Sequence, residues 1–172
     1  MKKFAVILSG CGVNDGAEIH EAVLTLYAIS SLGGCYKCFA PDIKLDTINH
    51  ITGKPDGSQR SVLEEAARIS RGEIEPLSKF NEKDFDALVL PGGFGAAKNL
   101  CTYATDGVKH TVNAEVEKAL KDVYEAGKPI GAMCIAPVLV AKVFPGSILT
   151  IGSDPNTAKD IEQMGCEHSI TN

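Results

Sequence analysis

No stretch of this sequence approaches the roughly 18 consecutive apolar residues that a membrane-crossing helix needs, so no membrane partner is expected. The apolar run at the start, Phe4 to Leu8, has about five residues against the roughly 7–15 of a secretory signal. Ser9-Gly10-Cys11-Gly12 interrupts it at once. Basic residues are also in short supply: 17 Lys and Arg face 22 Asp and Glu, a formal net charge of −5. No clustered positive face exists to follow a phosphate backbone, so nucleic acid is not an expected partner. Runs of like charge are missing as well, which excludes a charged tail. Without a secretory leader, the six cysteines (Cys11, Cys35, Cys38, Cys101, Cys134 and Cys166) read as reduced thiols rather than disulfides. The expected location is the cytoplasm.

What is present fits one folded domain over residues 1–172, with 44% hydrophobic and 23% charged residues. Short apolar runs at Phe4–Leu8, Tyr36–Ala40, Ile74–Leu77, Ala87–Leu90, Pro129–Met133 and Ile148–Ile151 read as strands. Between them lie helical stretches with start and stop signals. Asp15 with Glu18 forms a capping box for a helix ended by Gly33-Gly34, with Ile19, Ala22, Val23 and Leu26 at helical spacing. Ser61 with Glu64 opens a second helix, closed by Gly72, and Asn113 opens a third that runs to Ala126 before Gly127. Ile135–Val143 and Thr157–Met164 read as helices too. Thr47–Gly57 predicts a small extended excursion or hairpin, and Phe94–Thr111 a long loop or irregular helix. Strand–helix alternation of this kind means a mostly parallel sheet covered on both faces: a three-layer α/β/α, flavodoxin-like fold. Ligands in such sheets bind beyond the carboxyl ends of the strands. Gly10–Gly16, Pro91-Gly92-Gly93 and Cys134 are therefore expected to meet on one edge.

Cys134 is the first candidate for chemistry. Ala132 and Ala136, two residues before and after it, are small, as a nucleophile elbow requires, and Pro137 suits a first helical turn. A helix start beside the sulfur would favour thiolate over thiol. The alternative is a buried, inert cysteine. Glu21 is the second candidate. It would be the one charge on a stripe with Leu24, Ala28 and Leu32, where burial is costly unless the carboxyl finds a partner such as a cysteine sulfur. A solvated helix carboxylate is the alternative. Backbone N–H groups of Gly92, Gly93 and Ile135 could form an oxyanion hole, although Gly92-Gly93 also suits a plain turn.

Other signals point elsewhere. Gly10-Cys11-Gly12 begins like a dinucleotide fingerprint, but Asp15 occupies the third glycine position. Cys35 and Cys38 lie three apart on a strand and so face opposite ways, which marks them as structural. The four histidines show no metal-ligand spacing, and no Walker loop is present.

Taken together, Val6–Gly12, Glu18-Ile19-His20-Glu21, Leu90–Leu100 and Gly131–Pro137 resemble the enhancing lycopene biosynthesis protein family. That family is a branch of the ThiJ/PfpI superfamily of class I glutamine amidotransferase-like domains. The resemblance covers essentially the whole chain. It implies catalytic roles for Cys134 and Glu21, no cofactor and no metal, and a homodimer. Gly12, His20, Asn99 and Asp154 are the further residues expected to line the site. Superfamily hydrolases carry a histidine where this chain reads Thr150-Ile151-Gly152-Ser153-Asp154, so a Cys–His pair is not expected. Relatives continue with another strand and helix, which this chain is expected to lack. The implied function is glyoxalase-type chemistry on small aldehydes or dicarbonyls such as glyoxal and methylglyoxal. A redox or stress-responsive thiol and a degenerate amidotransferase-like hydrolase are the alternatives.

Overall fold

The computed structural model describes residues 1–171. The chain opens with β1 (Lys3–Ile7), whose Ala5, Val6 and Ile7 are fully buried. That is the pattern of a strand covered on both faces. Its C-terminal end leads into the glycine-rich turn, where Gly12 N–H donates to the Ala17 carbonyl at 2.9 Å and Gly16 N–H to the Gly12 carbonyl at 2.6 Å. Because those bonds curl residues 12–17 into a closed loop, the helix begins later than the Asp15–Glu18 spacing predicts. Helix α1 spans Ile19–Ser31, and its N-cap is Glu18, whose carboxylate accepts the Glu21 N–H at 2.8 Å. Asp15 accepts the Ile48 N–H instead, at 2.7 Å, and so ties the loop to the hairpin. Helix α1 buries Ala22, Leu26 and Ile29, whereas Ile19 and Val23 are 43% and 45% exposed. Leu24 and Leu32 are exposed as well, so the stripe assigned to Glu21 faces outward and the expected burial of that whole stripe does not occur.

β2 (Cys35–Ala40) pairs in parallel with β1 from Lys3 opposite Cys35 to Ile7 opposite Phe39. β3 (Lys44–Asn49) and β4 (Lys54–Ser61) form the expected antiparallel hairpin. Helix α2 (Val62–Ser70) starts at Ser61, whose hydroxyl accepts the Glu64 N–H at 3.2 Å. After β5 (Ile74–Pro76) and β6 (Ala87–Leu90), the segment read as a loop or irregular helix holds two short helices, α3 (Phe94–Lys98) and α4 (Tyr103–Asp106). Helix α5 (Ala114–Glu125) is capped by Asn113, as its spacing predicts. β7 (Ile130–Ala132), α6 (Pro137–Val143), β8 (Ile148–Leu149), α7 (Pro155–Gln163) and β9 (Glu167–His168) complete the described chain.

The main sheet has the order β5-β2-β1-β6-β7, with every pair parallel. Side-chain alternation divides its core in two. Val6, Leu8, Cys38 and Ala40 pack with Ala22, Leu26, Ile29, Val62 and Ala66 from α1 and α2. Ile7, Phe39, Leu88 and Leu90 pack with Val116, Leu120, Leu139 and Ile161 from α5, α6 and α7. The result is the three-layer flavodoxin-like fold. β8 departs from expectation: it pairs with β9 in a separate two-stranded sheet rather than extending the main one.

Candidate active site

Cys134 lies two residues beyond β7 with φ +56°, in the left-handed region that a β-carbon disfavours. For a residue other than glycine this costs about 1–2 kcal/mol. The turn is held by Met133 N–H on the Leu90 carbonyl at 3.2 Å and Ala136 N–H on the Met133 carbonyl at 2.9 Å. Ala136 is fully buried under it. The helix that follows begins at Pro137, not at Ile135, so two residues of tight turn, Ile135 and Ala136, separate Cys134 from the first helical position. Cys134 is exposed.

Gly92 fills the space between the two candidate residues. A β-carbon built there would lie 2.3 Å from Cys134 Cβ, 3.0 Å from its Sγ and 2.6 Å from Glu21 Oε2. The sulfur and the carboxylate thus flank one glycine from two sides. Glu21 Oε2 accepts the Gly92 N–H at 2.9 Å. Its hydrogen-bond partner is therefore this backbone group rather than the expected cysteine sulfur, and the Gly92 N–H is not free to serve an oxyanion hole. The N–H groups of Gly93 and Ile135 have no protein partner among the described residues and remain available. Gly93 has φ +96°, and a β-carbon on it would lie 2.3 Å from Glu18 N and 2.5 Å from the Gly16 carbonyl. Further bonds lock the loops together: Glu18 N–H to the Gly92 carbonyl at 2.9 Å, Phe94 N–H to Val13 at 2.8 Å, and Gly95 N–H to Gly16 at 2.9 Å. The three strand ends do meet.

A cavity of about 410 Å³ opens at Cys134, walled by Val13, Phe94, Ile135, Ile151 and Thr157 with Gly93 and Asp154. Asp154 also caps α7, accepting from Thr157 N–H at 2.9 Å and from its hydroxyl at 2.6 Å. Those two bonds hold its carboxyl below the usual range. The other expected lining residues are placed elsewhere. His20 is 86% exposed at its side chain and paired with Glu18 at 2.8 Å, which raises its imidazole. Gly12 abuts His50, where a β-carbon would lie 2.7 Å from Nε2. Asn99 acts as a brace, its amide donating to the Ser9 and Asp15 carbonyls at 2.8 and 2.7 Å. Its placement explains why the loop keeps its shape. Among the described residues no histidine borders the cavity.

Val13, Phe94, Ile151 and Thr157 were not singled out in the sequence. Two of them left a trace there. Phe94 directly follows the glycine pair, and Thr157 stands three residues after the capping Asp154. Among the described residues no group of three or more His, Cys, Asp or Glu side chains is arranged to hold a metal ion. All six cysteines are free. Burial pushes the thiols of Cys38 and Cys101 up to about 11.

Residues 14–167 match the DJ-1/PfpI family. The chain is 46% identical over 179 residues to a glutamine amidotransferase-like class 1 domain-containing protein 3, mitochondrial, of Homo sapiens, covering 98% of this chain and 67% of that protein. It is 37% identical over 183 residues to the ES1 protein, mitochondrial, of Danio rerio, covering 96% and 68%. Among solved structures, an isoprenoid biosynthesis protein with an amidotransferase-like domain from Ehrlichia chaffeensis superposes with a TM-score of 0.91 at 38% identity, over 99% of this chain and 79% of that one. The mitochondrial relatives overturn the cytoplasmic expectation.

Proposed function

The chain belongs to the DJ-1/PfpI family, and from that premise we propose that it is a cofactor-independent enzyme of the glyoxalase type. Its substrates are 2-oxoaldehydes such as glyoxal and methylglyoxal, and its products 2-hydroxy acids. The observation that carries this reading is the single glycine, Gly92, held between the Glu21 carboxylate and the Cys134 sulfur. One nucleophile and one proton carrier are all the reaction needs.

The Cys134 thiolate adds to the aldehyde carbon, forming a C–S bond and an alkoxide that gains a proton to give a hemithioacetal. Glu21 removes the proton from that carbon to give an ene-diol and returns it to the neighbouring carbon, while the hydroxyl proton passes from the first oxygen to the second. The first carbon is thereby oxidised to a thioester and the second reduced to an alcohol, with no external oxidant. Water then cleaves the C–S bond, releasing the 2-hydroxy acid and restoring the thiolate. The N–H groups of Gly93 and Ile135 are the donors assigned to the transient oxyanion. Amide hydrolysis is less well served, because no histidine borders the cavity to act on the thiol. An association with isoprenoid metabolism rests on the description of the Ehrlichia chaffeensis relative alone. A redox-sensing thiol is the second reading, favoured by the exposure of Cys134 beside three buried cysteines.

Incubation with methylglyoxal should yield lactate with the wild-type protein and none with Cys134→Ala. Glu21→Gln should fall by about 10²–10⁴-fold in kcat. Wild-type protein without turnover, but with selective oxidation of Cys134 by mild peroxide, would replace the enzyme by the sensor.

A further inference from the structure

The Cys134 cavity does not stand alone. A second cavity, of about 400 Å³, adjoins it and shares three of its walls, Phe94, Ile135 and Thr157. Unsubstituted methylglyoxal, with five heavy atoms, leaves most of that joined space empty. Phe94 forms the sill between the halves and is 52% exposed, on a short helix whose Gly95, Ala96 and Ala97 are buried and whose Lys98 is exposed. Past the sill the lining is mixed: Ile48, Ala97 and Ala104 are apolar, Asn14 and Tyr103 are polar, and Lys98 is the one charged group.

Lys98 follows Phe94 by four residues, so the two lie one helical turn apart, about 6 Å along the axis. Its ammonium sits 5.6 Å from the Phe94 ring centroid and donates to the Asn14 carbonyl at 2.7 Å. Both contacts fix the cation in place without neutralising it. Among the described residues no carboxylate pairs with it, and an ammonium with three N–H bonds has donors to spare. Tyr103, in the same cavity, gives its hydroxyl to Asp160 at 2.7 Å. At the opposite end, the Asp154 carboxylate is taken up by Thr157. The cleft therefore has a nucleophile at one end, apolar walls from Phe94, Ala97 and Ile135 between, and an unneutralised cation at the other.

We infer that the preferred substrate is a 2-oxoaldehyde extended by an apolar segment that ends in an anionic group, carboxylate or phosphate, held by Lys98. This rests on the aldehyde reading of Cys134 for its reaction, but the binding part is separable from it. Heteronuclear NMR titration of the protein with hexanoate, hexyl phosphate and hexanamide reads binding without turnover. The two anions should shift the amides of Phe94, Lys98 and Ile135 and bind roughly fivefold more tightly than hexanamide. Lys98→Gln should erase that difference and Lys98→Arg should keep it. Comparing the two anions shows which group the site prefers. In turnover, the ratio of kcat/KM for a carboxylate-bearing 2-oxoaldehyde to that for methylglyoxal should fall in Lys98→Gln through KM. Charge-dependent binding without any turnover would sink the enzyme reading and leave the cleft assignment standing. Equal binding of hexanoate and hexanamide, or an anion preference that survives Lys98→Gln, would overturn the assignment whatever the turnover.

Discussion

Cys38 and Cys134 are the same residue type, one within a strand of the main sheet and the other just past the end of a second strand, and the backbone gives them opposite properties. Cys38 lies within β2, is 0% exposed, and has its thiol pushed up to about 11 by burial. At pH 8 such a group is ionised to roughly one part in a thousand. Cys134 lies just past the end of β7, with φ +56° and its residue open to solvent. Two residues' displacement along a strand decides whether a sulfur packs or protrudes. The lesson is that reactivity here belongs to the turn, and only secondarily to the side chain.

The hardest test of that contrast is Gly92→Ala. The added methyl would stand 2.3 Å from Cys134 Cβ and 2.6 Å from Glu21 Oε2, so one of them must move. Overpacking of this kind costs about 1–3 kcal/mol. Turnover of methylglyoxal should drop by about a hundredfold, since misplacement of reacting groups by an ångström has effects of that size. Mass spectrometry after brief iodoacetamide treatment should show a changed rate at Cys134, while Cys38, Cys101 and Cys166 stay unlabelled in both proteins. Rapid labelling of Cys38 in the wild type would break the comparison outright.

A smaller effect separates the two cysteines by sign. Cys134→Gly removes a β-carbon from a left-handed residue, and the relief is partly offset by a freer unfolded chain. A net gain of about 0.5 kcal/mol is expected in denaturant unfolding. Cys38→Ala deletes a buried sulfur and should cost roughly 1–2 kcal/mol. If both substitutions destabilise equally, the strain assigned to the elbow is absent.

The same contrast explains what the sequence could reveal. Cys134 was legible because a left-handed elbow needs small neighbours, and Ala132 and Ala136 advertise them locally. The Asn113 and Ser61 caps and the hairpin were legible for the same reason, as each depends on residues a few positions apart. Asp15 misled because its true partner, the Ile48 N–H, lies 33 residues away. Glu21 is singled out in the sequence by an argument that the fold reverses. Its stripe is exposed, and what holds its carboxylate is Gly92, 71 residues distant. The pairing of β8 with β9 and the approach of Asn14, Tyr103 and Thr157 to the wall formed by α3 also depend on tertiary structure. Periodicity identifies a helix face but not the side on which the sheet will lie.

The weakest expected effect carries the comparison from thiols to imidazoles. His110 is 0% exposed and packs edge-on against Tyr103, with ring centroids 5.4 Å apart. Its Nδ1 bonds the Gly107 carbonyl at 2.9 Å; a carbonyl only accepts, so the proton sits on Nδ1. Nε2 has no hydrogen-bond partner, and protonating it would create a buried, unpaired donor. Burial, with Lys142 adding to it, therefore holds His110 below its ordinary value of 6.5, against the pull of the Gly107 and Val138 carbonyls and of Asp106. The unfolded chain then binds a proton that the folded chain refuses. The stability tied to neutral His110 is intact above pH 6.5 and is lost as the pH falls below it. His20 runs the other way, its imidazole raised by Glu18, so its contribution is present below 6.5 and fades as the pH rises. That exposed pair is screened by solvent, and the buried ring should dominate. Thermal unfolding between pH 8 and 5.5 should show a Tm that declines on acidification, less steeply in His110→Phe and slightly more steeply in His20→Gln. An identical slope in His110→Phe would mean that burial does not govern this imidazole as it governs the thiol of Cys38.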